Sequence, residues 1–320
     1  MKIEPKSSFD ECFQTFPRLR SPKNLTDVWK SALAELKKTP VDPRQKLMLK
    51  KSLGWETMMD VNYLSFGNQR VRGVLSVPRK RGKVPAVISF HDYHSRPETV
   101  KGFADHGIAH LAVELREHEQ MEEQPRVTAE GQPAGPPPYF HKYGLTNLEK
   151  SYPYACFLDA IRSIDFIRLH KGVDPSRIGV LGHGFGAAMA IFASVQRDDV
   201  RALALERPGL IWMEGYLQES NSDAANEIRA MMGRSTHTKN KIKKALDYLD
   251  MLNWAEIIDK PVLVAAGLKD ELNTPRSAFA FFNHMKTDKS MELFPDELAD
   301  PDGVEQRKKS IAFLAEVLKS

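Results

Sequence analysis

The 320-residue sequence contains no run of about 18 apolar residues, the length that a membrane-spanning helix needs. The first residues also lack the apolar segment of a secretory signal peptide. Cysteine is scarce, and Cys12 and Cys156 are too far apart in the chain to form a metal or redox motif. We therefore expect a cytoplasmic protein with free thiols and no membrane partner.

A strong charge of either sign is absent as well. The formal net charge is only +4, so we do not expect nucleic acid as a partner. Hydrophobic residues make up 42% of the chain and charged residues 28%, as in ordinary globular proteins. The length is sufficient for a large hydrophobic core.

Predicted strands and helices alternate along the chain. An amphipathic helix that ends near Pro40 precedes a β-hairpin around the turn FGNQ. Short apolar runs that end in polar residues then predict buried parallel strands: PAVISF, IAHLAV, RIGVLG, VRALALE, PVLVAAG and SMELF. We expect one α/β domain over residues 1–320, with a mostly parallel sheet wound on both faces. An N-terminal extension covers 1–55, and a helical, cap-like insertion covers 213–257.

The stretch VLGHGFGAAM, residues 180–189, has two interpretations. The glycines and Ala187 fit the dinucleotide fingerprint G-x-G-x-x-G/A, and Glu206 follows at about the offset of a ribose-binding acid. The same stretch fits the strand-to-helix turn of α/β-hydrolases, G-x-S-x-G, with Gly184 at its centre. The hydrolase interpretation also accounts for an acid after a later strand, in GLKD, and for an oxyanion loop at SFHDYH.

The chain resembles the acetyl xylan esterase / cephalosporin C deacetylase family of α/β-hydrolases from about Leu25 to its C-terminus. The resemblance rests on these segments in order: DVWKSALAELKKTPVDP, DVNYLSFGNQRVRGVLSVP, FHDYH, GLTNLEKSYPYACFLDAIRSIDFI, YLDMLNWAEI and GLKDELNTPRSAFAFFN. It implies an α/β-hydrolase fold and carboxylic-ester hydrolysis. It also implies a homo-oligomer, because that family forms ring-like assemblies. In FHDYH, Asp92 stands where the family has glycine.

By this resemblance, two of the three triad groups are missing. Gly184 stands at the position of the nucleophilic serine, and Ala299 falls nearest to that of the histidine. Asp270 keeps the acid, as a relict. A Ser-His-Asp mechanism needs an Oγ that attacks and an imidazole that accepts its proton. We therefore expect a catalytically degenerate relative that binds a small molecule or a partner in the former pocket. An ester hydrolase with non-standard groups and a dinucleotide-binding protein are the alternatives.

Further candidate residues surround this site. Tyr93 and Phe185 would direct backbone N–H groups at an oxyanion, and His91 and His183 would line the pocket. Arg116 either pairs with a carboxylate or is a solvated surface charge. Residues at strand ends also raise the question of a metal: His91, His94, Glu117, His118, His183 and Asp270. Convergence of so many side chains from separate loops is rare, so we expect no metal and no cofactor.

Overall fold

The computed structural model describes residues 9–49, 51–52, 54–93, 95–97, 102–116, 144–295 and 303–319. These residues form a nine-stranded sheet in the order β1-β2-β3-β5-β4-β6-β7-β8-β9. The strands are β1 Arg44–Leu47, β2 Glu56–Leu64, β3 Arg70–Pro78, β4 Val84–Phe90, β5 Ala109–Val113, β6 Val173–His183, β7 Val200–Glu206, β8 Val262–Gly267 and β9 Lys289–Phe294. β1, β2 and β3 run antiparallel to their neighbours, and the pairs from β5 to β9 are parallel.

Nine α-helices lie within the described ranges. They are α1 Phe9–Phe13, α2 Leu25–Lys38, α3 Tyr152–Leu169, α4 Phe185–Gln196, α5 Met213–Glu219, α6 Asp223–Met232, α7 Thr236–Leu249, α8 Pro275–His284 and α9 Val304–Lys319. Short 3-10 helices span Phe66–Asn68, Leu148–Lys150 and Met251–Ile257. In the part of the chain that the structure describes, every helix is too short or too polar to cross a lipid bilayer.

The two faces of the sheet carry separate hydrophobic clusters. Ile88 and Val180 face a large cluster that includes buried residues of α2, α3 and α4. Val87 and Leu181, the next residues along the same strands, face a smaller cluster under α9. This alternation follows from the two-residue period of a strand, and burial on both faces explains why the central strands read as continuous apolar runs.

The predicted fold class is confirmed: the sheet is mostly parallel and helices cover both of its faces. The helix before Pro40, the hairpin of β2 and β3, and the predicted buried strands are all present. The sequence analysis missed α1 and the short edge strand β1. Helices α5, α6 and α7 and a 3-10 helix occupy the expected insertion between β7 and β8.

Candidate active site

Gly184 forms the sharp turn between β6 and α4. Its φ is 54° and its ψ is −118°, a backbone conformation that residues with a side chain rarely adopt. Its N–H donates to the carbonyl of Glu206 at 3.0 Å, and its own carbonyl accepts from the N–H of Gly209 at 3.0 Å. The turn therefore has the strained strand-to-helix geometry that presents the nucleophile in α/β-hydrolases.

Two flanking glycines allow this turn to be tight. A β-carbon on Gly182 would lie 2.4 Å from Cα of Ala187, in the first turn of α4. A β-carbon on Gly186 would lie 2.1 Å from the carbonyl oxygen of Phe90, at the end of β4. Both contacts are with the backbone and cannot relax by a side-chain rotation. The spacing of the glycines thus serves close packing of the strand, the turn and the helix.

The space beside Gly184 is filled by another side chain. A β-carbon built on Gly184 would lie 2.1 Å from Cγ and 2.2 and 2.3 Å from the two carboxylate oxygens of Asp92. Asp92 belongs to the loop that follows β4. Its carboxylate therefore occupies the volume into which a side chain at position 184 would have to project.

The same carboxylate is bound by the backbone donors that we expected to form the oxyanion hole. Oδ1 of Asp92 accepts hydrogen bonds from the N–H groups of Tyr93 and Phe185, each at 2.8 Å. Two N–H groups that converge on one oxygen form the arrangement that stabilises an oxyanion in acyl transfer. The structure thus brings the N–H groups of Tyr93 and Phe185 together, with an internal carboxylate between them.

Basic side chains and backbone donors lie near the Asp92 carboxylate. Burial alone would raise the pKa of Asp92, but the charge of His183, the two N–H bonds and the charge of Arg207 lower it below its usual value. Asp92 is therefore ionised at neutral pH. A negative charge supplied by the protein itself therefore lies between the N–H groups of Tyr93 and Phe185.

Asp270 lies in the loop after β8, where a triad acid belongs, and it is buried. Its Oδ1 accepts from the N–H groups of Leu272 and Asn273 at 2.9 and 3.1 Å. Its Oδ2 accepts from Nε of Arg207 at 2.6 Å. Burial alone would lower the pKa of Arg207. The hydrogen bond to Asp270 and the negative charges of Asp270 and Asp92 outweigh burial and raise that pKa. Asp270 is therefore paired with a cation that the sequence analysis did not identify.

His91 and His183 line one small cavity of about 170 Å³ at the ends of β4 and β6. His91 is also part of the loop structure, because Leu115 donates its N–H to Nε2 at 3.2 Å. This acceptor role places the proton of a neutral ring on Nδ1, which lies 2.7 Å from the carbonyl of Asp92. His91 thus fixes the loop that carries Asp92.

Arg116 is buried and faces α3. Its guanidinium makes a bidentate pair with Asp159, with Nε to Oδ2 at 2.7 Å and Nη2 to Oδ1 at 2.6 Å. Its carbonyl accepts from the hydroxyl of Tyr152 at 3.0 Å, and the Tyr152 ring contacts the rings of Tyr93 and Phe185 at centroid distances of 6.1 Å. Of the two interpretations of Arg116, the pairing with a carboxylate is confirmed and the solvated charge is wrong.

Ala299, the expected histidine position, lies outside the described residues. His284 is the last histidine in the sequence. Its ring stacks on Phe16 with centroids 3.9 Å apart, and Nε2 bonds to the carbonyl of Pro17 at 2.8 Å, so it anchors the N-terminal segment to α8.

The candidate metal ligands were tested only in part. His94, Glu117 and His118 fall outside the described residues. Among the residues that the structure does describe, no three side chains of the ligating types His, Cys, Asp and Glu form a group that could hold a metal.

Glu206 is unavailable to a ribose. Its carboxylate accepts from Nε and Nη2 of Arg307, at 3.0 and 2.8 Å, and from the hydroxyl of Ser310 at 2.7 Å. Both donors belong to α9, so Glu206 fastens that helix to β7. This pairing removes the main support for the dinucleotide interpretation.

The model of the acetyl xylan esterase (AXE1) family matches residues 6–317. The chain belongs to this family. The acetyl xylan esterase of Paenibacillus sp. R4 has the same fold, with a TM-score of 0.84, 22% identity, and coverage of 96% of this chain and 99% of that one. Acetyl xylan esterase 1 of Thermoanaerobacterium sp. JW/SL YS485 gives a TM-score of 0.79 at 19% identity, with the same coverage. The chain is also 23% identical over 290 residues to acetyl esterase Axe7A of Xylanibacter ruminicola, covering 87% of this chain and 64% of that protein.

Gly184, Tyr93 and Phe185 lie together at the turn between β6 and α4, and Asp270 lies in the loop after β8. Sequence reasoning noted Asp92 only as a departure from the family's glycine, and it missed Arg207 entirely. One signal could have located Asp92. By the resemblance, a side chain is absent at position 184 and another is present at position 92, and in this structure the Asp92 side chain fills the space beside Gly184.

Proposed function

We propose that this chain is an acetyl xylan esterase family member that no longer hydrolyses esters and uses its former active-site pocket to bind a small ligand or a partner. The observation that carries the proposal is the position of the Asp92 carboxylate, which fills the space beside Gly184 and bonds to the N–H groups of Tyr93 and Phe185. An ester carbonyl would need those same donors. Its developing negative charge would also meet the charge of Asp92.

The other parts of the elbow support the same conclusion. Gly184 has no atom that can attack an acyl carbon. Asp270 is paired with Arg207, so its carboxylate is already engaged. Removing the serine or the histidine of a triad individually abolishes nearly all triad catalysis, and what remains comes from the oxyanion hole and substrate binding. Here the hole is also occupied, so even this residual contribution is blocked.

Ester turnover in a set of four proteins tests the proposal. Wild type, Asp92→Gly, Gly184→Ser and the double variant are assayed with 4-nitrophenyl acetate, and the exposed Asp288→Asn is the matched control. Wild type and the control should hydrolyse the ester hardly faster than buffer. Asp92→Gly should raise the rate modestly, because it frees two N–H donors, and the double variant should remain far below an ordinary kcat of about 10 s⁻¹ for want of a base.

A wild-type kcat near that ordinary value would refute the proposal. Loss of such turnover in Asp92→Asn, but not in Asp288→Asn, would assign the chemistry to the Asp92 carboxylate acting as a non-standard nucleophile. Loss on treatment with a chelator would assign it to a metal.

A homo-oligomer, which the family resemblance implies, belongs to the same proposal. Light scattering on the purified protein tests it directly. A mass equal to that of one 36.2 kDa chain at all concentrations would exclude it.

A further inference from the structure

A larger cavity lies between the N-terminal segment and the helical insertion, and none of its lining residues belongs to the elbow or to the loop of Asp92. Its volume is about 510 Å³, within the roughly 300–1,000 Å³ typical of small-molecule sites. Six apolar side chains contribute to its wall: Trp212, Met213, Leu217, Met232, Leu246 and Leu252. The cavity is therefore of a suitable size and has a continuous apolar surface for part of a ligand.

An adjoining groove of about 690 Å³ shares part of this lining. The shared residues include Trp212 and the ion pair of Arg20 with Glu214, whose Nη2 and Oε2 are 2.6 Å apart. Arg20 belongs to the N-terminal segment and Glu214 to α5. This pair joins the two segments at the boundary between the cavity and the groove.

The ring of Trp212 is held in place by several independent contacts. Its backbone is left-handed, with φ 49° and ψ 62°. The carboxylate of Asp250 accepts from the N–H groups of Trp212 and Met213, each at 2.8 Å. A β-carbon on Gly215 would lie 2.3 Å from the ring, and the guanidinium of Arg276 lies over the ring at 5.1 Å from its centroid. The ring therefore packs against Gly215 and beneath Arg276 in the wall.

This placement costs backbone strain. Arg207, Leu210 and Trp212 all have positive φ, within six residues of chain that connect β7 to α5. A positive φ strains the backbone of a non-glycine residue, and strained residues cluster at binding and catalytic sites. Arg207 serves the elbow through Asp270. The strain at Trp212 instead fixes an aromatic side chain in the wall of the cavity.

The charges around the cavity leave an excess of cations. Within the described ranges, no carboxylate lies within ion-pair distance of Arg18, Lys239 or Lys243, which are exposed around the cavity. Three acids also line the cavity, and one of them, Asp247, interacts electrostatically with Lys243 and Arg20. Glu214 pairs with Arg20, and Asp250 accepts three backbone N–H groups. A negatively charged group at this rim would still be attracted overall, because five cationic side chains face three carboxylates in the lining: Arg18, Arg20, Arg229, Lys239 and Lys243 against Glu214, Asp247 and Asp250.

We propose that the cavity binds a small amphipathic anion, whose carboxylate or phosphate lies between Arg18, Lys239 and Lys243 and whose apolar body packs against Trp212. Met213, Leu217 and Met232 complete the apolar side of the site. This inference does not depend on the loss of hydrolysis, because it involves no residue of the elbow.

Isothermal calorimetry with sodium octanoate, octyl phosphate, 1-octanol and inorganic phosphate tests this site on the full chain. One molecule of octanoate or octyl phosphate should bind per chain, and the tighter of the two identifies the preferred head group. 1-Octanol and inorganic phosphate, which each lack one half of the ligand, should bind at least tenfold more weakly. The double variant Lys239→Glu/Lys243→Glu should bind octanoate at least tenfold more weakly than the wild type. Met232→Gln should weaken the binding of octanoate but leave that of inorganic phosphate unchanged.

Lys241→Glu is the matched control, because it lies on the same helix and is exposed but does not line the cavity. Its octanoate affinity should equal that of the wild type. Three results would overturn the proposal: no saturable binding of either amphiphile at millimolar concentration, equal weakening by Lys241→Glu, or inorganic phosphate binding as tightly as octyl phosphate. The hydrolytic activity of the elbow has no influence on any of these readouts.

Discussion

Arg207 and Asp270 form an ion pair in which Nε donates to Oδ2 across 2.6 Å. The Asp270 side chain is 1% exposed and that of Arg207 is 18% exposed, so the pair is shielded from solvent. In a Ser-His-Asp triad the carboxylate holds a histidine. Asp270 is instead bonded to an arginine from the loop after β7, and an arginine side chain is already protonated and cannot accept a proton.

Breaking this pair should destabilise the fold. Arg207→Gln leaves the buried carboxylate of Asp270 with two backbone donors and no cation, and we expect the free energy of unfolding to fall by about 3 kcal/mol. Adding Asp270→Asn should recover part of that loss, because the uncompensated charge is removed. Arg44→Gln is the control, since it breaks an exposed pair with Asp42 and should cost less than about 1 kcal/mol. Urea denaturation measures all four proteins, and equal losses for Arg207→Gln and Arg44→Gln would contradict the buried pair.

Gly184 and Asp92 should be energetically coupled. Gly184→Ser introduces backbone strain of about 1–3 kcal/mol and also expels the Asp92 carboxylate from its two N–H donors. In the Asp92→Gly variant, Gly184→Ser introduces only the strain. Gly184→Ser should therefore lower the free energy of unfolding by less in that variant than in the wild type, with a coupling energy of roughly 1–3 kcal/mol between the two substitutions.

Gly233→Ser is the control for the double-mutant cycle of Gly184→Ser and Asp92→Gly. Its φ is −69°, and a β-carbon there would meet no atom closer than 3.4 Å. We expect Gly233→Ser to change the free energy of unfolding by no more than about 0.5 kcal/mol. Additive effects of Gly184→Ser and Asp92→Gly on the denaturant midpoint would mean that the two sites do not share the same space.

Asp92 should make stability depend on pH at the acidic end. Its pKa in the folded protein is lowered, although burial alone would raise it, because His183, two N–H bonds and Arg207 favour the charged form. A lowered pKa contributes stability that is complete above the unfolded value of about 4 and is lost as the pH falls through the folded value. Asp92→Asn should flatten this part of the curve of unfolding free energy against pH, whereas Asp288→Asn should leave it unchanged.

Asp250 should change the pH dependence of stability in the direction opposite to Asp92. Burial raises its pKa to about 6, even though the N–H groups of Met213, Leu252 and Trp212 favour the charged form. The folded state then binds more protons than the unfolded state between about pH 4 and pH 6, so the free energy of unfolding should fall across this window as the pH rises. The two-unit shift corresponds to roughly 3 kcal/mol. Denaturation of Asp250→Asn at pH 4 and pH 7 should lack this slope, and an unchanged slope would contradict the raised pKa.

Freeing the oxyanion hole should create a site for a small carboxylate. Asp92→Gly removes the internal acceptor but leaves the N–H groups of Tyr93 and Phe185. Sodium acetate should raise the melting temperature of this variant and not that of the wild type. Sodium chloride at equal ionic strength is the control. Equal stabilisation of both proteins by acetate would mean that the hole is open in the wild type.

The fold could be predicted from the sequence because its signals are local. Buried parallel strands give continuous apolar runs, and the turn at Gly184 requires small residues at fixed spacing. β1 was missed because all of its residues are exposed, so it carries no alternation of apolar and polar residues. The boundaries of β6 were also misjudged, since the strand includes residues that the sequence reads as a turn.

The candidate site could be predicted only as a set of positions. The contact of Asp92 with Phe185 joins residues 93 apart in the chain, and that of Arg207 with Asp270 joins residues 63 apart. Neither partner is indicated by a local pattern. The left-handed backbone at Arg207, Leu210 and Trp212 could not be predicted from the sequence either. Glycine is the residue that indicates a positive φ, and none of these positions is glycine.

The bond between Asp92 and the elbow also sets a limit on what else can bind there. The carboxylate is tethered to the loop next to its donors, so it acts as a competitor at a local concentration that is millimolar or higher and never dilutes away. A free carboxylate or phosphate must outcompete it at every encounter, whatever its intrinsic affinity for the two N–H groups. These two N–H groups are thus already occupied, and a ligand in the former pocket has to be recognised by other groups that line it.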